Sequence, residues 1–339
     1  MEWQQIEMAY NFSVIEFNAI QSGLINTTYK VVTNKGNFIV QQLNTTVFKE
    51  VASIASNIAQ VGNFLQQNHP LYLFTHPLVN KNGSTLFYNN VHVYRVFAFI
   101  ENTNTIRATS NEMEAYEAAQ QFALFTQKLV EFDITKLHET IPQFHNLSLR
   151  FRQFEQAVNA NNDSRKTKAT TLIRHLLQKK EIVQLYESFT QQPQAIKRVM
   201  HHDTKISNVL FDRAGKGLCV IDLDTIMPGY LFSDVGDMLR TYLTSATEEE
   251  ADLDKIIIRR PFIIAIEMGY LKGLGIEINS FERDNFYLFG RIMIYMQTLR
   301  FLTDYLEHDR YYGQKKEGHN LNRALNQFRL LQLFEEAIA

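Results

Sequence analysis

The stretch HHDTKISNVLFD, residues 201–212, places two histidines, two aspartates, a lysine and an asparagine within twelve positions and ends in an apolar, strand-like run. Asp222 follows nineteen residues after Asp203, at the end of a second apolar run, and the intervening RAGKG is typical of a turn. The two runs therefore predict a hairpin that brings Asp203, Asn208 and Asp222 close together.

Two simpler interpretations of this stretch compete with a catalytic one. A polar surface loop can contain the same residue types by chance, because HxDxxxxN alone is a weak motif. Two adjacent histidines followed by an aspartate can also suggest zinc. Neighbouring residues on a strand point to opposite faces, however, so His201 and His202 are poorly placed to share a metal ion.

Composition limits the class of protein. The 339 residues are 45% hydrophobic, which is enough for two moderate cores or one large core. Lys plus Arg is 34 and Asp plus Glu is 36, so no overall basic field favours a nucleic-acid partner. Cys219 is the single cysteine, and we find neither a secretory signal nor an apolar run long enough to span a bilayer. We expect a soluble, cytoplasmic protein whose oligomeric state stays open.

The chain is predicted to begin with strands and to continue with helices. Strands are expected at 14–20, 28–33, 37–43, 78–80, 84–88 and 91–100, with a turn at Asn82-Gly83. Between them, apolar residues spaced three and four apart from Val47 to Leu65 predict one helix, and residues 44–46 offer its N-cap.

Helical periodicity dominates beyond the polar linker at 101–105. Strand character returns only at 199–223, and a basic, Asn-rich patch at 158–168 is expected to be a loop. The order indicates an α+β protein with two lobes, residues 1–100 and 101–339, and a cleft between them.

The spacing of the polar residues resembles a known arrangement. His201, Asp203 and Asn208 fit HxDxxxxN, and with Asp222 they resemble the catalytic and metal-binding segment of the protein-kinase-like fold, in particular the aminoglycoside phosphotransferase and choline kinase superfamily. Blocks between residues 23 and 331, including GLINTTYKV, FIVQQLN, RFLTDYLEHDRYY and HNLNRALNQFRLL, are most similar to the N-acetylhexosamine 1-kinases. The resemblance implies a small antiparallel-sheet lobe with one helix and a larger, mainly helical lobe.

The resemblance also implies an ATP- and Mg²⁺-dependent kinase that phosphorylates a small molecule. Asp203 would then lie near the acceptor hydroxyl, and Asn208 and Asp222 would supply oxygen ligands to Mg²⁺. Lys205 would neutralise charge on the transferring phosphoryl group. Supporting roles are expected for His201, Asp224 and Asp234.

The nucleotide end of the site is less clearly marked. The loop QSGLINTTY stands where a glycine-rich loop is expected but carries one glycine, Gly23, with Asn26 beside it. Gln41 occupies the strand position of the lysine that protein kinases use, and it brings no charge. Phe97 and Ile100 lie in VFAFIE, the expected hinge against the base.

The acceptor is expected to meet the helical lobe at Arg300, Asp304 and Tyr311, which suit an amino sugar. An Arg300–Asp304 surface ion pair and a packed tyrosine are equally compatible with the spacing. Two rival functions stay open. The acidic segment at 248–254 is compatible with a kinase for choline, ethanolamine or an aminoglycoside, and Gln41 is compatible with a pseudokinase that binds nucleotide.

Overall fold

The computed structural model describes residues 3–20, 26–160 and 163–339. Its helices span Trp3–Tyr10 (α1), Val51–Asn68 (α2), Glu112–Lys128 (α3), Leu147–Ala160 (α4), Ser164–Gln178 (α5), Glu181–Thr190 (α6), Phe232–Thr241 (α7), Arg260–Leu274 (α8), Ser280–Asp284 (α9), Phe286–Leu306 (α10) and His319–Ile338 (α11). Its strands span Val14–Ile20 (β1), Thr27–Thr33 (β2), Gly36–Leu43 (β3), Phe87–Tyr88 (β4), Val93–Ala98 (β5), Arg198–Met200 (β6), Val209–Phe211 (β7), Gly217–Val220 (β8) and Met227–Gly229 (β9).

The N-terminal lobe is an antiparallel sheet in the order β1-β2-β3-β5-β4. Val31, Val40 and Val96 point to one face of this sheet and are fully buried in a cluster with Ile6 of α1. The lobe therefore contains a first helix that the sequence pattern did not predict, in addition to the expected one. The antiparallel sheet and the mainly helical second lobe confirm the predicted α+β, kinase-like fold class.

Helix α2 begins at Val51, four residues later than the apolar spacing predicted. Val47 is 53% exposed, and Asn44 caps a local turn instead of the helix, because its Oδ1 accepts from the backbone N–H of Thr46 at 3.1 Å. The buried stripe of α2 packs into the core of the helical lobe. The proposed division at residue 100 stays a prediction.

The predicted hairpin around Asn82-Gly83 is only partly formed. Residues 78–80 form no strand, and β4 is reduced to two residues that pair with β5. Asn80 accounts for the difference, because its side chain accepts from the N–H groups of Asn82 and Ser84 and donates to the carbonyl of Leu86. A turn held by a side chain thus replaces the expected ladder of backbone bonds.

The C-terminal lobe is built around α10, which is buried along most of its length against α4, α7 and α11. Its two small antiparallel sheets pair β6 with β9 and β7 with β8. The loop predicted at 158–168 is wrong in extent, because α4 continues to Ala160 and Asp163 caps α5 through the N–H groups of Arg165 and Lys166. No helix among the described residues has both the length and the apolar character needed to cross a bilayer.

Candidate active site

The loop between β6 and β7 carries the polar residues from His201 to Asn208, and α7 holds it in place. The buried carboxylate of Asp234 accepts hydrogen bonds from the backbone N–H groups of His201 at 3.0 Å and of His202 at 2.8 Å. The Thr204 hydroxyl donates to the Asp234 carbonyl, and the Thr204 N–H donates to Asp237. Burial raises the pKa of Asp234 to about 7, against the effect of its two amide donors. The loop conformation is thus fixed at His201, His202 and Thr204.

His201 lies inside the fold, behind the loop. Its Nε2 lies 2.9 Å from the Ile221 carbonyl, its Nδ1 lies 3.4 Å from the Asp203 N–H, and its ring meets the edge of Phe122 with centroids 5.0 Å apart. Burial lowers its pKa, so it is a neutral histidine with Nε2 as donor. His201 therefore positions the backbone at Asp203 and does not reach the cleft.

Asp203 has 28% of its side chain exposed, and its Oδ1 lies 3.1 Å from the Nζ of Lys205. Desolvation alone would raise the pKa of Asp203, but the charge of Lys205 and the proximity of His201 outweigh it and lower the pKa. The Asp203 charge in turn raises the pKa of Lys205. Near neutral pH the two residues are an ionised carboxylate beside an ammonium.

Asn208 and Asp222 lie on the two sides of the β7–β8 hairpin. The Asn208 carbonyl accepts from the Ile221 N–H at 2.8 Å, and its Nδ2 donates to the Asp203 carbonyl at 2.9 Å, which leaves Oδ1 as the free end of the amide. Asp222 has a left-handed backbone conformation, with φ +62°, and its side chain lines the cleft. Desolvation by the cleft walls and the carboxylates of Asp224 and Asp203 raise the pKa of Asp222 to about 7.

These donors fit a Mg²⁺ ion that is shared with phosphates. One carboxylate and one amide oxygen are hard ligands, and the raised pKa of Asp222 marks a position where a cation would relieve repulsion between carboxylates. Across residues 3–20, 26–160 and 163–339, no group of three or more His, Cys, Asp or Glu side chains could hold a metal alone. Asn208 and Asp222 would hold the ion together with ligands that a nucleotide brings.

A cavity of about 300 Å³ extends from Asp222 to the strand that joins the lobes. Its walls come from both lobes and include Thr28, Ile39, Gln41, Arg95, Phe97, Ala98, Ile100, Asn208, Leu210 and Asp222. The Phe99 N–H donates to the Asn37 carbonyl, so strand alternation directs the Ala98 carbonyl and the Ile100 N–H to the opposite side. Ala98 and Ile100 both line the cavity, and a planar base with one donor and one acceptor would match these two groups.

The structure places a cation where the sequence showed only Gln41. Arg95 is the cross-strand partner of Gln41, and its Nε donates to the Gln41 Oε1 at 2.9 Å. Its Nη1 binds Asp224, whose other oxygen accepts from Asn26 at 2.8 Å. The sequence analysis missed Arg95. Alternation along β5 was the available signal, because residue 95 faces the same side of the sheet as Phe97.

Gly23 and Asn26 were predicted to contact the nucleotide. Gly23 lies outside the described residues. The Asn26 side chain is already engaged, since its Nδ2 binds Asp224 and its Oδ1 accepts from the Asn44 N–H at 3.0 Å. Asn26 therefore links the start of β2 to the segment after Asp222, and its expected contact with nucleotide stays a prediction.

The residues predicted for the acceptor lie together in a second, smaller cavity of about 160 Å³. It is lined by Arg150, Gln153, Arg300, Thr303, Asp304, Glu307, Tyr311 and Tyr312. The Arg300 guanidinium lies 5.2 Å from the ring centre of Phe144, and that ring lies 6.3 Å from the ring of His202, next to Asp203. A chain of side-chain contacts thus connects this cavity to the loop from His201 to Asn208.

Within this cavity, the Asp304 carboxylate holds the turn that follows α10. Its carboxylate accepts from the N–H groups of Tyr311 at 2.7 Å and Tyr312 at 3.0 Å, and from Asn320 at 3.0 Å, and only 3% of the residue is exposed. The alternative interpretation, a surface ion pair with Arg300, is wrong, because the Arg300 Nη1 donates to Gln297 and Asp304 is bound by other donors. Tyr311 is 71% exposed, so its ring is free to cover a ligand.

Comparisons with solved structures agree with this architecture. An aminoglycoside phosphotransferase from Alicyclobacillus acidocaldarius superposes with a TM-score of 0.67 at 11% identity, over 100% of this chain and 95% of the other. A spectinomycin phosphotransferase, solved with ADP and spectinomycin, gives 0.61 at 14% identity over 99% and 96% of the two chains. Plasmodium vivax ethanolamine kinase gives 0.60 at 14% identity over 99% and 86%. At such identities these likenesses define the fold alone.

The two lobes and the polar loop between them define the general class of the protein as kinase-like in fold. The model of the phosphotransferase enzyme family matches residues 16–261, which is more than half of the chain. The chain belongs to this family.

Proposed function

We propose that this phosphotransferase moves the γ-phosphoryl group of ATP to the anomeric hydroxyl of an N-acetylhexosamine and releases a sugar 1-phosphate. The cavity beneath the interlobe strand would bind the adenine, with its phosphates directed toward Asn208 and Asp222. A bound Mg²⁺ ion would offset the phosphate charge during transfer. Spectinomycin phosphotransferase was solved with ADP, which supports an adenine nucleotide as donor.

Asp203 would accept the proton of the attacking hydroxyl. Its lowered pKa keeps the carboxylate ionised at neutral pH, and 28% of its side chain is exposed and would be accessible to an acceptor. Lys205, held 3.1 Å away, would face the transferring phosphoryl group and limit repulsion between that group and Asp203. His201 and Asp234 would act only through the loop backbone that they hold.

The arrangement of charges in the second cavity supports the choice of a neutral sugar. Arg150 and Arg300 line it together with Asp304 and Glu307, and burial together with the charge of Arg300 lowers the pKa of Arg150. The Asp304 carboxylate is already bound by three N–H donors, so the two neighbouring guanidinium groups would disfavour choline, ethanolamine or a polycationic aminoglycoside. They would donate hydrogen bonds to sugar hydroxyls and to an acetamido carbonyl, while the exposed ring of Tyr311 could cover one sugar face.

The acidic segment at 248–254 offers little to an amine. Glu248 binds Arg240 at 3.1 Å on one side and Arg323 on the other, and these two arginines lower its pKa against the effect of burial. Glu249 binds Lys315. Because these carboxylates already have cationic partners, they do not form the negatively charged box that a quaternary amine would need.

Phosphorylation of a substrate panel tests this proposal. ATP consumption should be measured with N-acetylglucosamine, N-acetylgalactosamine, glucose, choline, ethanolamine and kanamycin, and the product should be analysed by phosphorus NMR. We expect turnover with an N-acetylhexosamine and a phosphate on its first carbon. A phosphate on a 6-hydroxyl, or turnover with the amines alone, would overturn the proposed acceptor. Binding of ATP without turnover of any compound would favour the pseudokinase.

Arg300→Ala separates the acceptor site from the nucleotide site. We expect the KM for the sugar to rise by about tenfold or more, because a charge-assisted hydrogen bond is lost, while the KM for ATP changes by less than about threefold. Arg310→Ala, on the same segment but exposed to solvent, is the matched control and should change neither constant.

A further inference from the structure

The usual ion pair behind the nucleotide phosphates is absent from the part of the chain that the structure describes. In protein kinases a lysine on the third strand contacts the phosphates and pairs with a glutamate of the neighbouring helix. Here the strand position is Gln41, and helix α2 carries no charged residue between Val51 and Asn68. Asn57 of α2 instead donates to the carbonyls of His138 and Ile226. Neither half of the usual pair is available.

Arg95 supplies a cation from the adjacent strand at the same level of the sheet. Its backbone pairs directly with Gln41, and its side chain lines the same cavity as Gln41 and Asp222. Only 2% of Arg95 and 3% of Asp224 are exposed, so the ion pair between them has little contact with water. A phosphate that binds Arg95 would therefore displace little water from its guanidinium group.

The hydrogen bonds of Arg95 fix its orientation and leave donors unused. The Nε–H is directed to Gln41, which is itself held by the Thr28 hydroxyl at 3.2 Å, and Nη1 is directed to Asp224. A guanidinium has five N–H donors. Among the described residues, Nη2 donates to no acceptor. Arg95 is therefore oriented by two neighbours while part of its fork remains available for an anion.

We propose that Arg95 is the phosphate-binding cation of this enzyme, oriented by Gln41 and Asp224, and that it takes the place of the missing strand lysine. The inference rests on the proposed use of ATP, but not on the identity of the acceptor. In this arrangement both oxygens of Asp224 are engaged, by Arg95 and by Asn26, and Asp222 is the carboxylate available to the metal. Arg95, on the N-terminal lobe, then binds the residue two positions after Asp222, the metal ligand on the C-terminal lobe.

Nucleotide binding with and without phosphates tests the proposal. Calorimetry should measure the Kd of ADP and of adenosine, each in EDTA and in Mg²⁺, for the wild type and for Arg95→Gln. We expect ADP to bind at least about 20-fold more weakly to the variant, because charge-assisted bonds to phosphate are lost, and adenosine to change by less than about threefold. The combination Arg95→Gln with Gln41→Lys should recover part of the ADP affinity by restoring a cation on the neighbouring strand.

Arg198→Gln is the matched control. Arg198 forms another buried ion pair, with Glu282, in the helical lobe and away from the nucleotide cavity. Its loss should affect ADP and adenosine alike. If Arg95→Gln does not fold, Arg95→Met with Asp224→Asn removes both charges at similar volume and should show the same selective loss of ADP affinity.

Equal weakening of ADP and adenosine in the Arg95 variants, or unchanged ADP affinity, would overturn the role of Arg95 and leave a purely structural ion pair. A wild type that binds neither ADP nor ATP would overturn this proposal together with the proposed function. Selective loss of ADP affinity in an enzyme that phosphorylates some other acceptor would uphold Arg95 and overturn only the sugar assignment.

Discussion

Asp203 and Asn208 are connected through the backbone, because the amide Nδ2 of Asn208 donates to the carbonyl of Asp203 at 2.9 Å. The bond holds the proposed proton acceptor and one proposed metal ligand in a fixed relative position, five residues apart on one loop. It also turns the amide oxygen of Asn208 away from the loop backbone. The acceptor hydroxyl and the metal-bound phosphates can therefore be positioned by a single rigid segment.

Replacing Asp203 by Asn should remove the proton acceptor while keeping the shape of the side chain. We expect kcat to fall by about 10² to 10⁴, because general-base assistance is lost, and the Kd of ADP to change only a few fold. Steady-state kinetics with calorimetric ADP binding would check this. Turnover close to that of the wild type would show that Asp203 takes no part in the reaction.

Asp222→Ala should abolish the dependence of ATP binding on Mg²⁺, because the one carboxylate that lines the proposed metal site is lost. Asn208→Ala should cause a smaller loss that higher Mg²⁺ partly restores, although it also breaks the bond to the Asp203 carbonyl. Titration of ATP binding with Mg²⁺ measures both effects. An unchanged Mg²⁺ dependence in Asp222→Ala would disprove the assignment of this segment.

The buried histidine pair should contribute a loss of stability in mild acid, which the raised pKa values of Asp222 and Asp234 oppose. Burial lowers the pKa of His202 to about 4, from an ordinary value near 6.5, and His145, which stacks on Phe144, is lowered by burial and by His202. The folded state thus excludes a proton that the unfolded chain takes up. The stability contributed by neutral His202 is complete above about pH 6.5 and is lost as the pH falls toward 4, by up to about 3 kcal/mol.

Urea unfolding at several pH values between 7.5 and 4.5 would measure this loss. His202→Asn suits the left-handed backbone at this position and should give a flatter dependence on pH, whatever its stability at pH 7.5. His92→Asn, at an exposed position, should leave the slope unchanged. The explanation would be wrong if the wild type and His202→Asn lost stability in parallel.

The hairpin that carries the candidate site could be predicted because its signals are local. The loop from His201 to Asn208, the turn and Asp222 lie within one short stretch, where strand pairing alone sets their proximity. The same holds for the sheet β1-β2-β3, whose strands follow one another along the chain. Motif spacing and strand alternation carried enough information in both cases.

The rest of the site depends on pairings between distant parts of the chain. The bond between Arg95 and Asp224 joins residues 129 positions apart, and no pattern near either residue announces it. Asn80 likewise shortened a predicted strand through side-chain bonds that compete with the ladder. Asp304 and Arg300 had the spacing of a helical ion pair. The Asp304 carboxylate instead accepts from the backbone of the turn that follows the helix, and Arg300 donates to Gln297.

Asp304→Asn tests which of two tasks that carboxylate performs. An asparagine offers one acceptor oxygen where the carboxylate accepts three bonds, from Tyr311, Tyr312 and Asn320. We expect the free energy of unfolding to fall by about 1 to 3 kcal/mol, because buried donors lose their acceptor. The KM for the sugar should rise with it, since the turn positions Tyr311. Glu307→Gln, exposed in the same cavity, is the control and should leave stability unchanged. A large rise in the KM for the sugar with no loss of stability would contradict the structural task and favour direct contact between Asp304 and the acceptor.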